Sequence, residues 1–252
     1  MNIIPSYDIE EIILKNYDEK TKKIILSNFK NYTNIKNFNC LNCNLKELPY
    51  LPDTLTKLNC SGNNLTKLLN LPNSLIHLDC SGNHLTKLPD LPNSLEYLDY
   101  HNNNLTELLD LPDTLNYLDC GWNNLKELPN LPYSLTQLVC SCNNLTELPN
   151  LPYSLTHFNC SHNKLTELPD LPNSLIHFEC QNNNLNHIDC EDIQTINETN
   201  SKNRIIKRIK LLNRTLLLEH SAMITMNPKR IQRLLDNHEI DFFDCSFDTL
   251  TF

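Results

Sequence analysis

The chain has 252 residues, a formal net charge of −9, 40% hydrophobic residues, eleven cysteines and only three glycines. An acidic balance of that size sets aside wholesale nucleic-acid binding as the default, and no run approaches the roughly 18 apolar residues that span a bilayer as a helix. Asn and Leu are heavily used, but they recur on a fixed template, so their excess does not mark a disordered or prion-like tract.

Residues 1–34 carry no repeat. The first residues, MNIIPSYDIEEIILKNYDEK, lack a basic start and an apolar core of signal length, so no secretory signal is read there. Ile9, Ile12 and Ile13, then Ile24, Ile25 and Phe29, recur at helical spacings around the polar stretch Asn16–Lys23. That pattern predicts two short helices, an N-terminal cap over the open end of whatever follows. The stretch IPSYDIEEIILKNYDEKTKKIIL also resembles the start of an F-box, with its Pro, paired aliphatics and acidic turn. The resemblance implies an alternative role for residues 1–34, recruiting a ubiquitin ligase as part of a substrate adaptor.

From residue 35 to 190 the chain nearly reproduces itself every 20 residues. LPDTLNYLDCGWNNLKELPN begins at Leu111, LPNSLEYLDYHNNNLTELLD at Leu91 and LPYSLTQLVCSCNNLTELPN at Leu131. Seven full units fit between Leu51 and Cys190, preceded by a degenerate one from Ile35. A fixed period of this length containing L-x-x-L-x-L/C-x-x-N-x-L is the signature of leucine-rich repeats.

Each position of the unit has a reading. Alternation in Tyr117-Leu118-Asp119-Cys120 puts Leu118 and Cys120 on one face and Tyr117 and Asp119 on the other. Stacked units then give one strand per repeat in a parallel, in-register sheet, with Leu125 and Leu128 closing the core from the far side. Asn63, Asn83, Asn103, Asn123, Asn143, Asn163 and Asn183 follow the strands, where a buried amide can satisfy backbone groups of its own and the adjacent turn. In the first unit that position is Cys43. The return segment LPxLPxSL holds Pro129 and Pro132 in its type unit, which fix φ and donate no hydrogen bond, so the convex side is expected to be extended or polyproline-like. Leu69 and Leu109 replace the first proline in two units.

Seven cysteines (Cys40, Cys60, Cys80, Cys120, Cys140, Cys160, Cys180) share one column, facing the core as small hydrophobes. Parallel Cβ vectors argue against bridging between neighbours. Tyr100 interrupts the column, and its extra volume predicts a local bulge. Cys142 lies outside the column and reads as an exposed thiol.

LPxLPxSLxxLxCSxNxLTxLP resembles the short leucine-rich repeats of effectors secreted by enteric bacterial pathogens, and arrays encoded by giant DNA viruses of amoebae. The Asn-, Ile- and Lys-heavy flanks are more similar to the viral group. The fold this implies is an α+β repeat solenoid, a horseshoe with a parallel sheet on its concave face, an extended convex side and helical caps at both ends. Some bacterial members carry a C-terminal ubiquitin-ligase domain; with only about 60 residues after the repeats, that activity is not carried over. The resulting expectation is an intracellular protein, in the host-cell cytoplasm if viral.

Residues 191–252 read as a linker and C-terminal helical cap. Arg204–Glu219 has an apolar stripe of Ile205, Ile206, Ile209, Leu212 and Leu216, and a second helix is expected to open at Asn227 and Pro228. Lys202, Arg204, Lys207, Arg208, Lys210, Arg214, Lys229, Arg230 and Arg233 make this region basic, which supports a second alternative, association with nucleic acid.

Function is expected on the concave face, whose side chains have no packing duty. Candidates are His77, Asp79, Tyr97, Asp99, His101, Tyr117, Asp119, Trp122, His157 and His177. Rigid aromatics are common interface anchors, and the acidic ladder Asp79, Asp99 and Asp119 favours a protein partner with a basic segment. Pairs such as His77 with Asp79 arise by chance in polar repeat columns. No catalytic set, metal site or cofactor is read, and the primary expectation is a non-enzymatic protein-protein interaction module.

Overall fold

A computed structural model gives the structure, which describes residues 8–185. The alternation of outward, inward and outward side chains creates nine three-residue strands: β1 (Glu11–Ile13), β2 (Asn37–Asn39), β3 (Lys57–Asn59), β4 (His77–Asp79), β5 (Tyr97–Asp99), β6 (Tyr117–Asp119), β7 (Gln137–Val139), β8 (His157–Asn159) and β9 (His177–Glu179). They form one sheet in chain order, every pair parallel. From β2 onward the register advances by 20 residues per strand, as in Tyr97 opposite Tyr117 and Asp99 opposite Asp119.

In-register pairing stacks identical side chains, and the core is a set of such stacks. Phe38, Leu58, Leu78, Leu98, Leu118, Leu138, Phe158 and Phe178 make one, and the cysteine column makes the next; all are buried. A third comprises Leu65, Leu85, Leu105, Leu125, Leu145 and Leu165, all shielded from solvent. Described cysteines are all free thiols. Burial pushes the thiols from Cys40 to Cys160 in this column up, Cys120 to about 12, so thiolate chemistry is suppressed there.

Two ladders tie neighbouring units. Asn63 Nδ2 donates to the carbonyls of Cys40 (2.8 Å), Cys60 (2.9 Å) and Ser61 (3.2 Å), and its Oδ1 accepts from the Leu45 N–H at 2.8 Å. Asn83, Asn103, Asn123, Asn143 and Asn163 repeat this pattern, and Asn183 most of it. The second ladder lies in the return segment. Hydroxyls of Thr54, Ser74, Ser94, Thr114, Ser134, Ser154 and Ser174 donate to carbonyls of the preceding unit, such as Ser134 to Asp113 and Leu115 at 2.7 and 2.6 Å. These segments contain turns, such as Leu115 N–H to Pro112 O at 3.0 Å, and no helix.

Two expectations need correction. Of the two N-terminal helices, one exists: α1 (Glu19–Ser27), whose Asp18 cap accepts from the Thr21 N–H at 2.9 Å. Residues 11–13 instead form β1, and Ile12 extends the core stack beside Phe38. A short aliphatic run fits either period, and the free sheet edge decides it. Nor does Tyr100 make a bulge. Its N–H bonds Asp119 O at 3.0 Å, as Cys80 and Cys120 bond their next strands at 2.8 Å, and the ring is fully buried. Space comes from small thiols on both sides. Its hydroxyl has no partner of full hydrogen-bond geometry; a weak thiol neighbour, Cys120, is what it has instead. The linker and helices expected within 191–252 lie outside the described residues.

Candidate protein-binding face

Strand alternation leaves two columns on the open side of the sheet, and both become organised at its centre. In the first column His77, Tyr97 and Tyr117 stack ring on ring, with centroids 3.9 and 4.2 Å apart and planes within 7° of parallel. Cross-strand aromatic pairs of this kind stabilise a sheet by about 0.2–1 kcal/mol each. Half-burial depresses the His77 pKa, keeping the ring neutral, and raises those of both tyrosines. His157 and His177 form a separate, tilted pair at 5.6 Å, two strands beyond Tyr117.

The second column is the acidic ladder. In each case Oδ1 accepts a backbone N–H two residues ahead: Ser81 for Asp79 (3.1 Å), His101 for Asp99 (3.0 Å) and Gly121 for Asp119 (2.9 Å). Ser81 adds its hydroxyl to Asp79 at 2.7 Å, and the His101 ring faces Asp99 at 2.8 Å. Burial raises the carboxyl pKa of Asp99, and that of Asp119 to about 6, against the backbone donors that favour the charge. Asp99, His101 and Asp119 hold their ligand atoms within 4.8 Å of one another. His101 itself sits in the turn after β5, not on a strand.

Trp122 departs from its expected place. It lies in the turn three residues beyond β6, 65% exposed, with φ +53°. The same turn position is left-handed in every unit: Asn42, Gly62, Gly82, Asn102, Trp122, Cys142, His162 and Asn182. Asn and Gly tolerate that conformation; a bulky side chain there is a genuine outlier. Two features went unread in the sequence. One is the tie of each acidic Oδ1 to its own turn. The other is a pair of exposed tyrosines on the return side, Tyr133 and Tyr153, whose signal was a column otherwise filled by Asp and Asn.

No protein-family model matches the sequence, and no curated protein does either. Solved structures do. YopM from Yersinia enterocolitica is 36% identical, with a TM-score of 0.56 over 60% of this chain and 38% of its own. YopM from Yersinia pestis, described as a leucine-rich effector protein, is 39% identical, with a TM-score of 0.58 over 60% of this chain and 44% of its own. The functional domain of InlJ from Listeria monocytogenes, described as including a cysteine ladder, is 34% identical, with a TM-score of 0.55 over 66% of this chain and 39% of its own. This chain thus spans less than half the length of the YopM chains it matches. With the repeated strand and the Asn ladder, these likenesses define a leucine-rich-repeat protein built as a parallel-strand solenoid. Among the described residues no helix is long and apolar enough to cross a membrane.

Proposed function

We propose that this chain is a non-enzymatic interaction module, acting inside cells, that takes a protein partner on the concave, strand-bearing face of the solenoid. One observation carries the reading: a continuous three-ring stack, His77–Tyr97–Tyr117, runs beside three carboxylates that no Lys or Arg pairs with among the described residues. Rigid aromatics flanked by unneutralised charge match what protein interfaces use as anchors. A sheet face with only a solvation role has no need of that order. Residues 1–34 serve in this reading as the cap, because Ile12 continues the core stack and α1 packs Ile25 inward.

The test is partner capture from amoebal or other host-cell lysate by the full chain and by Tyr97→Ala, Tyr117→Ala and Trp122→Ala. Capture should weaken for Tyr97→Ala or Tyr117→Ala while thermal unfolding stays cooperative; a loss confined to Trp122→Ala would put the partner on the turns beyond the strands instead. Three variants that capture as the parent does would remove this face from consideration.

A further inference from the structure

The three ladder carboxylates are not equivalent, and the difference points to a specific partner group. Asp79 Oδ1 receives two donors from Ser81, and Asp99 Oδ1 has the N–H and the ring of His101. Asp119 has a single bond from the Gly121 N–H. Position 121 is Gly where four other units place Ser61, Ser81, Ser141 and Ser161, so the hydroxyl that would complete its carboxylate is missing. No room is left for one without adjustment: a Cβ at Gly121 would meet Asp119 Oδ1 at 3.2 Å and Ser141 O at 3.3 Å.

The aromatic stack ends on the same strand. Tyr117 stacks on Tyr97, but its partner across β7 is Gln137, and that of Asp119 is Val139. An end ring and an under-bonded carboxylate therefore stand two residues apart on one face of β6. Facing them, the next strand offers no charge. Like charges on adjacent strands also repel, so Asp79, Asp99 and Asp119 together favour an incoming cation.

A guanidinium meets both demands at once: its plane stacks on a ring face while its edge donates two parallel bonds to a carboxylate. An ammonium can supply only the charge. Resting on the concave-face reading, we propose that Tyr117 and Asp119, beside Gln137 and Val139, form a subsite for one arginine side chain of the protein partner, carried on an extended basic segment that runs along the acidic ladder.

The experiment is isothermal titration of the full chain, in buffer with EDTA, using blocked Gly-Arg-Gly-Arg-Gly and its lysine and citrulline counterparts. The arginine peptide should bind about fivefold tighter than the lysine one, because only it stacks, and the citrulline peptide should bind weakest. Asp119→Asn, which keeps the shape and the Gly121 bond, should weaken the arginine peptide about tenfold. Tyr117→Leu should erase the preference for arginine over lysine. Equal binding of all three peptides, no binding of the arginine peptide, or an unchanged affinity in a folded Asp119→Asn chain would overturn the subsite. A captured partner lost on Tyr97→Ala but retained on Asp119→Asn would sink the arginine assignment and leave the concave face standing.

Discussion

Asp119 carries more consequence than its neighbours because burial holds its carboxyl at about 6, against an ordinary value of 3.8. Between those values the folded chain binds a proton that the unfolded chain releases, so stability falls as pH rises through that window and is regained on acidification. Asp99 shifts in the same direction. His77, its pKa depressed, works the other way over the same range, so the test is a difference: from pH 7 to pH 5 the urea midpoint of the parent should gain on that of Asp119→Asn. Tyr100 offers a second residue-scale test. Tyr100→Phe removes a buried hydroxyl without a good partner and should be neutral or stabilise by up to about 1 kcal/mol. Tyr100→Cys restores the column but empties the volume of a ring, and should cost about 2–4 kcal/mol. Chemical denaturation distinguishes the pair.

At the scale of the element, the turn after each strand imposes a left-handed residue whatever the sequence supplies. Trp122 occupies that place at a cost of about 1–2 kcal/mol relative to glycine. Trp122→Gly should raise the unfolding midpoint, and a lower midpoint would mean that the indole packs in a way its exposure does not suggest. The cysteine column gives another element-level expectation. Among the cysteines of the described residues, Cys43 and Cys142, which are partly exposed, should alkylate first, and the seven column thiols only on unfolding. Mass spectrometry of a timed alkylation reads this directly. The strand, the Asn ladder and the stacked columns were legible because each recurs at a period of 20 with a fixed inward or outward sense. The turn was legible only in part, since Gly62, Gly82, Asn42, Asn102 and Asn182 suit a positive φ while Trp122, Cys142 and His162 conceal it. Strand β1 was hidden because its two aliphatic residues, Ile12 and Ile13, carry no decisive period. The way Asp79, Asp99 and Asp119 spend one oxygen on their own turns was equally invisible, being a matter of local geometry.

Across the whole molecule, stability is a sum over units and their interfaces, so damage should stay local. Asn123→Leu takes a donor from the carbonyls of Tyr100 and Cys120 and strands the N–H of Leu105, while the Gly121 carbonyl keeps the Asn102 N–H. At about 1–3 kcal/mol for the buried orphan, with the lost bonds added, the loss should reach about 3 kcal/mol or more. Amide exchange should accelerate at Leu105 and in the two flanking units, with the more distant strands protected. Uniform acceleration over the described array would show instead that the units melt as one body.

Both ladders reach in the same direction. Each Asn amide donates 23 residues back along the chain, and each Ser or Thr hydroxyl 19 or 21 residues back. A ribosome delivers the earlier unit first, with its carbonyls still turned to water, and the unit behind it brings the groups that close it. The bonds of these two ladders can therefore close in the order of synthesis, each unit's carbonyls met by donors of its immediate successor.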